Sequence, residues 1–465
     1  MTPQRTDTIA ASAGAPGRGG IAILRISGPR ALPVLAAVFA PGRSEVSAAA
    51  SGFRFRPRVL HFGQALGRDA LPIDEVLAVF MPGPASATGE DVGEIHCHGG
   101  PGVVTALLEA LFAAGARPAG PGEFTRRAFL NGRMDLTAAE AVAEIIDAPT
   151  LEGVRLAKAK LDGTLGRRID SLRSLLDSLR AQAILAVDFP DEDAELLNAP
   201  AFSAGIVEAR RSVDELLASY ERASLWREGA VCLLAGAVNA GKSSLLNALL
   251  GRNRAIVSAQ PGTTRDYIEE TVNLAGLPVR LIDTAGLRET GDVIEAEGMR
   301  LTEELADAAQ FILLVVDAQK GLGAEEAAFL ARRPHLSAEG RILLVWNKID
   351  AVPESSPAAS PCASIAVSAR TGEGLAELAQ AVRAALLRSA PPAPGDLAPN
   401  LRQADLLRRV QRELDALSAA LVSGMPPDIL TVHLDAIADL LEEITGKSGT
   451  EELLDRIFMD FCIGK

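Results

Sequence analysis

The sequence predicts a multidomain α/β and all-α protein: an N-terminal α+β domain, a discontinuous helical domain, and a P-loop domain with a mostly parallel sheet inserted between the two helical segments. Three observations predict this class. At 465 residues the chain has room for about three domains of ordinary size. Hydrophobic residues make up 48% and charged residues 23%, a balance that fills packed cores and argues against wholesale disorder. The spacing of apolar residues also changes character along the chain, and each change marks a boundary.

The first 120 or so residues carry short β-type runs, Ile21 to Ile26, Leu60 to Phe62 and Val76 to Phe80, broken by Met81-Pro82-Gly83-Pro84 and His98-Gly99-Gly100-Pro101-Gly102. One helix is expected from about Val103 to Ala114, where Val104, Leu107, Leu108 and Leu111 recur at helical spacing. Thr137 with Glu140 three residues later spells a capping box, so a helix is expected to start there with the Thr137 hydroxyl as cap. Helical periodicity continues to about Val187, with a break at Pro149 and a stop at Asp188-Phe189-Pro190-Asp191, and resumes from about Ser203 to Trp226. Continuous apolar runs follow: Val231 to Ala235, Val279 to Ile282, Phe311 to Val316 and Ile342 to Trp346. Separated by helical segments, they indicate parallel strands covered on both faces. Pro391 to Gly395 reads as a linker, followed by helices near Leu401 to Ser423, Asp428 to Ile444 and Glu451 to Phe461. The expected boundaries are 1–122, 123–228, 229–387 and 388–465, the second and fourth being halves of one helical domain.

Composition excludes several classes. Lys and Arg number 46 against 60 Asp and Glu, a net charge of −14, which argues against one large basic field for nucleic acid. Any such contact must be local or lent by a partner. Aromatic residues at 4% are too few for a base-stacking platform. Cys97, Cys232, Cys362 and Cys462 lie far apart without a C-x-x-C pair, which suits a reducing compartment. No apolar leader or 18-residue apolar stretch is seen, so a cytoplasmic protein without membrane association is expected.

Gly236-Ala237-Val238-Asn239-Ala240-Gly241-Lys242-Ser243 fits G-x-x-x-x-G-K-[ST], between an apolar strand and the helical run Ser244 to Leu250. Its glycines let backbone N–H groups converge on phosphate oxygens, Lys242 reaches the β- and γ-phosphates, and the Ser243 hydroxyl can ligate Mg²⁺. A glycine-rich turn is the plain alternative. Three further elements end strands in order: Asp283-Thr284-Ala285-Gly286, Asn347-Lys348-Ile349-Asp350 and Ser368-Ala369-Arg370. Asp283 can hold the Mg²⁺ shell through water, and Gly286 N–H can sense a γ-phosphate. The Asp350 carboxylate accepts from guanine N1–H and its exocyclic amine, and the last tripeptide can offer N–H to guanine O6. Four ordered elements leave little room for a coincidence of turns.

This order resembles the Ras-like translation-factor superclass of GTPases over roughly Gly229 to Leu387. The resemblance implies a guanine nucleotide held by Asn239, Ala240, Gly241, Lys242, Ser243 and Ser244, and by the three later elements. It also implies a switch segment, Ser258, Ala259, Gln260, Pro261, Gly262, Thr263 and Thr264, in which Thr264 is a second Mg²⁺ ligand. Leu287 stands where Ras-type enzymes orient water with glutamine, and leucine has no polar atom to do so. The resembling GTPases use an asparagine in the phosphate loop to bind K⁺; here that is Asn239, with Ser258, Gln260 and Thr263 as co-ligands, giving electrostatic catalysis. Glu295 is a candidate for activating water through a bridging molecule, or a solvated surface acid. Asn239, Glu295 and Lys242 are therefore the expected catalytic set.

The flanks are similar to one family. Gly17 to Gly28, Thr88-Gly89-Glu90-Asp91, His98 to Pro101, Pro121 to Thr125, Arg127 to Arg133 and Phe461-Cys462-Ile463-Gly464-Lys465 resemble the MnmE (TrmE) family of tRNA-modification GTPases over essentially the whole chain. The resemblance implies a homodimer through the N-terminal domain. It implies a tetrahydrofolate derivative, the 5,10-methylene or 5-formyl form, bound by Arg25, Glu90, Arg133 and Lys465, and an MnmG-like flavoprotein partner, giving a heterotetramer or larger complex, that carries the FAD and most of the tRNA contact. At position 133 arginine replaces the family's frequent lysine, a planar fork for a point charge. Between Gly236 and Asn239 the usual arginine-proline is replaced by Ala237-Val238. Cys462 is a candidate nucleophile or, alternatively, a small buried hydrophobe. His96-Cys97-His98 is expected to serve a turn rather than a metal. The contrasting class is an Era-type ribosome-assembly GTPase, which would need a K-homology fold; Gly446-Lys447-Ser448-Gly449 spells its G-x-x-G but follows a helix and is expected to be a C-cap turn.

Overall fold

The computed structural model describes residues 7–14, 17–42, 53–188, 200–253, 268–283, 303, 305–352, 362–387, 397–459 and 461–465. The chain divides into two compact units, 1–143 with 160–210 and 409–465, and 144–159 with 211–408.

The first unit holds a seven-stranded sheet built from β1 (Ile9–Ser12), β2 (Ile21–Ser27), β3 (Phe39–Pro41), β4 (His61–Leu66), β5 (Pro72–Met81), β6 (Val92–His98) and β7 (Arg117–Pro118), in the order β3-β4-β5-β6-β2-β1-β7. All neighbours are antiparallel except β1 with β7. Helix Pro101–Ala113 buries Leu107, Ala110 and Leu111 against strand residues such as Leu24, Ile26, Ala78 and Ile95. Helix Thr164–Asp188 lies antiparallel to helix Pro427–Thr445, as the ion pairs Lys447–Asp170 (2.7 Å), Arg173–Glu442 (2.7 Å) and Arg180–Asp435 require. Residues 461–465 return to the N-terminal sheet. Ile463 bridges Pro121, Phe124 N–H donates to Lys465 O at 3.1 Å, and Gly122 N–H donates to Cys462 O at 3.4 Å. Gly464 has φ +96°, and a Cβ there would meet Ser12 O at 2.0 Å, so only glycine fits against β1.

The second unit holds a six-stranded sheet, β8 (Ala230–Ala235), β9 (Ile268–Leu274), β10 (Leu277–Asp283), β11 (Phe311–Asp317), β12 (Ile342–Asn347) and β13 (Ser364–Ala366), in the order β13-β12-β11-β8-β10-β9. Only β9 is antiparallel. Alternation along each strand feeds two cores. Cys232, Leu234, Leu281, Leu313, Val315 and Val345 pack on one side, and Leu233, Ala235, Ile282, Leu314, Val316 and Leu344 on the other. Both faces are buried, which is why the strands read as unbroken apolar runs. Leu156, Ala223 and Trp226, from helices Leu151–Leu161 and Pro200–Glu228, join the first of these cores.

Several expectations need correction. Helix Leu136–Asp147 starts before Thr137, whose hydroxyl donates to Asp135 Oδ1 at 2.7 Å. The same carboxylate oxygen takes Ala138 N–H at 2.8 Å, so Asp135, not Thr137, is the cap. The long helical run breaks at Gly163 as well as near Pro149. Helix Ala31–Ala37 and the edge strand β9 were not anticipated. Cys462 is exposed, so it is no buried hydrophobe. Gly446 ends helix Pro427–Thr445 at φ +82°, the turn expected of it. The Pro391–Gly395 linker lies outside the described residues.

Candidate functional site: a phosphate loop and guanine-type motifs at one sheet edge

Parallel strands deliver their C-terminal ends to one edge of a sheet, where ligands of such folds bind. Here β8 runs into the loop 236–241, followed by helix Lys242–Asn253. Gly236 adopts φ +136°, and a Cβ would lie 2.1 Å from Val315 O; Gly241 adopts φ +95°, and a Cβ would lie 2.3 Å from Asn347 Nδ2. Both glycines are required by close approach, not by flexibility alone. Asn239 is exposed at the loop's tip with φ +67°, a conformation asparagine tolerates.

Lys242 is 7% exposed and donates to Gly236 O at 2.9 Å and Ala237 O at 3.0 Å, so its ammonium lies across the hollow of the loop. Ser243 Oγ donates to Asp283 Oδ2 at 2.8 Å. A hydroxyl and a carboxylate brought together beside a phosphate loop are the oxygen donors a hard divalent cation takes, so these residues fit Mg²⁺. Ala240 and Ser244 flank the same turn, Ala240 buried and Ser244 exposed at the first turn of the helix.

Asn347, 1% exposed, ties three loops together. Its Nδ2 donates to Ala240 O at 3.1 Å and Gly241 O at 3.4 Å; its Oδ1 accepts from Lys348 N–H at 2.8 Å and Ala369 N–H at 3.1 Å. Lys348 Nζ donates to Asn239 O and Asp317 Oδ2, both at 2.7 Å. Burial pushes the Asp317 carboxyl up, but the Lys348 hydrogen bond and charge outweigh it and hold it below the ordinary range. Asp350, one residue past Ile349, accepts from Ser368 Oγ at 2.6 Å and pairs with Arg370 at 2.8 Å; Arg370 is 79% exposed. Ser368 and Ala369 already spend their N–H groups on Glu373 O and Asn347 Oδ1. Thr284, Ala285, Gly286, the switch residues Ser258, Ala259, Gln260, Pro261, Gly262, Thr263 and Thr264, and Glu295 lie outside the described residues.

A second constellation surrounds residues 461–465. Arg25 donates to Glu94 at 2.8 Å and stands 5.9 Å over the Phe124 ring, whose own N–H holds Lys465 O. Ser27, on the same strand as Arg25, donates to Glu90 Oε2 at 2.8 Å, and exposed Arg133 packs beside Gly89. Arg25 and Lys465 thus both lie against Phe124, while Arg133 lies against the turn that carries Glu90. Sequence reasoning missed what fixes it. Arg127, 4% exposed, donates to both Glu90 oxygens at 3.1 and 3.3 Å, to Glu123 at 3.1 Å and to Asp7 at 2.9 Å. Burial raises Glu123, but the Arg117 hydrogen bonds, the Gly120 N–H and Arg127 bring its carboxyl down to about 2 from an ordinary 4.5. His98 binds Asp74 at 2.7 Å, and burial pushes the Cys97 thiol up to about 11. Among the described residues no cluster of three or more His, Cys, Asp and Glu could hold a metal, and no helix is long and apolar enough to cross a membrane.

The model described as MnmE helical domain matches residues 136–462, and that of the GTP-binding protein TrmE N-terminus matches residues 8–133. The tRNA modification GTPase MnmE of Nitratidesulfovibrio vulgaris (strain DP4) is 52% identical over 468 residues, spanning 99% of this chain and 100% of that protein. The chain belongs to the MnmE family. Relatives carrying the same MnmE name in Lawsonia intracellularis and Roseiflexus castenholzii are 43% and 41% identical, with 99% of this chain covered in each case and 100% and 99% of theirs. As a member of the MnmE family it is a GTPase acting in tRNA modification, which implies guanine nucleotide with Mg²⁺.

Two outcomes follow from the geometry. Replacing Asp350→Asn exchanges two acceptors for one acceptor and one donor, so nucleotide preference should move from GTP to xanthosine triphosphate by at least about tenfold in kcat/KM; retained GTP preference would place the base elsewhere. Because the Glu123 carboxyl is depressed in the fold, its stabilisation is complete above the unfolded value and is lost as pH falls from about 4.5 towards 2. At most about 3 kcal/mol is at stake. The melting temperature should therefore fall over that window, and Glu123→Gln should flatten the fall while lowering the melting temperature at pH 7.

Proposed function

We propose that this GTPase works with an FAD-dependent, MnmG-like partner and a tetrahydrofolate one-carbon donor to add a carboxymethylaminomethyl or aminomethyl group to C5 of the wobble uridine of certain tRNAs. The observation that supports this most is the docking of residues 461–465 onto Pro121, Gly122 and Phe124, which sets Lys465 against Phe124, the residue whose ring lies under Arg25. The donor set fits a folate: Arg25, Arg133 and Lys465 match its glutamate carboxylates, and Glu90 matches the N–H groups of a pterin edge. Bound folate would supply the one-carbon unit, while the chain's own residues bind and orient it. The domains run 1–122 for folate binding and dimerisation, 123–228 and 388–465 for the helical domain, and 229–387 for the G domain. The protein is a cytoplasmic homodimer, joined by the partner and, mostly through it, tRNA.

In hydrolysis, Lys242 neutralises charge at the β- and γ-phosphates, Ser243 and Thr264 hold Mg²⁺, and Asn239 with Ser258, Gln260 and Thr263 holds K⁺. Bound there, that cation would supply the positive charge an arginine finger supplies elsewhere. Glu295 orders the attacking water, since Leu287 cannot. K⁺-dependent pairing of two G domains then activates turnover.

Turnover should be at least about tenfold faster in KCl than in NaCl, and Asn239→Ala should erase the difference; equal rates in the two salts would count against a cation site. Nucleoside mass spectrometry of tRNA from a deletion strain should show wobble uridines lacking the C5 group. Unaltered profiles would favour a regulatory GTPase of the Era type.

A further inference from the structure

Helix Ala324–Arg332 begins beside the phosphate loop with two adjacent acids, of which Glu325 is exposed and Glu326 only 4% exposed. Glu326 Oε2 accepts Gly323 N–H at 3.1 Å, the carboxylate half of a capping box whose other half is absent because Gly323 has no side chain. Its other oxygen leaves the helix: Oε1 accepts Ala237 N–H, in the phosphate loop, at 3.1 Å. No Lys or Arg among the described residues pairs with it. Burying a carboxylate is costly, and this one is satisfied by backbone donors alone.

A capping box accepts glutamine as readily as glutamate, so capping does not explain a carboxylate here. Two N–H donors aimed at two oxygens do, because the amide nitrogen of a glutamine would face one of them. Gly323 points the same way. Its φ of −83° and ψ of 177° are open to any residue, yet a Cβ would lie 2.7 Å from Glu326 Oε2. The missing side chain reserves room for the carboxylate.

The Gly236–Ala237 peptide is held on both sides, its N–H by Glu326 and its C=O by Lys242 Nζ at 2.9 Å, and Lys242 Nζ also reaches Ala237 O at 3.0 Å. We propose that Glu326 is a positioning residue of the GTPase, fixing the Gly236–Ala237 peptide so that the phosphate loop keeps its nucleotide-accepting shape and Lys242 its aim. Glu326 is on the far side of that peptide from Lys242 and acts through the loop. Without it the competent loop is less populated, and apparent affinity falls by that fraction for any nucleotide carrying a β-phosphate.

The test uses the full chain. Glu326→Gln should weaken GDP and GTP together by about tenfold, the scale of one charge-assisted hydrogen bond, and raise KM by the same factor while kcat at saturation falls less than about threefold. Ala328→Gly, at an exposed position of the same helix, weakens the helix without touching the carboxylate and should leave GDP affinity within about twofold. The proposal is overturned if Glu326→Gln binds GDP like the wild type, or if Ala328→Gly weakens GDP as much for an equal fall in melting temperature. Should Glu326→Gln not fold, residue-level hydrogen exchange on the nucleotide-free wild type decides: the Ala237 amide should be protected, and free exchange there would refute the anchor.

Discussion

The nucleotide site depends on one buried side-chain amide. Asn347 uses its amide nitrogen on the phosphate loop and its oxygen on the N–H groups of Lys348 and Ala369, so the phosphate loop and the loops after β12 and β13 cannot drift apart independently. Cutting it back would leave two carbonyls and two N–H groups short of a partner in a nearly dry place, and each such loss costs about 1 to 3 kcal/mol. The sheet makes this economy available. Asn347 pairs in register with Asp317 across β12 and β11, and β8 ends beside them, so three loops leave the sheet within reach of one amide.

The N-terminal unit solves a different problem. No parallel strand edge gathers its contacts, and the residues that meet there come from β2, the 88–91 turn, helix Glu123–Leu130 and the segment 461–465. Charge holds them instead. Arg127 donates to Glu90, Glu123 and Asp7, while Arg117 pairs with Glu123 and Asp7. Buried ion pairs of this kind add little net stability relative to an apolar core, but breaking one partner strands the others. They suit a place where geometry matters more than stability.

Much of this was legible in the chain. The core strands of the second unit announced themselves because both faces are buried, and the loops that carry Gly236, Gly241 and Asp350 do follow β8 and β12. The misses have local causes. Strand β9, Ile-Glu-Glu-Thr-Val-Asn-Leu, mixes polar and apolar residues at the sheet edge, so a search for unbroken apolar runs passes over it. Asp135 and Thr137 are both good caps, and only backbone geometry chooses between them. Glu325 and Glu326 are identical neighbours that face opposite environments, the first exposed and the second buried. Periodicity shows which face is apolar, not which charge is drawn inside by partners far along the chain.

The return of residues 461–465 to β1 also orders events in time. Ser12 is made at the start of synthesis, whereas Gly464, the residue that fits against it, follows the entire G domain. The N-terminal sheet and its charged cluster can therefore form early, but Pro121, Gly122 and Phe124 must wait for residues 461–465 until the helical segment beyond the G domain has emerged and folded back. A chain that stalls within the G domain would carry a formed sheet without the segment that seals it, so docking of that segment reports that everything encoded between has been translated.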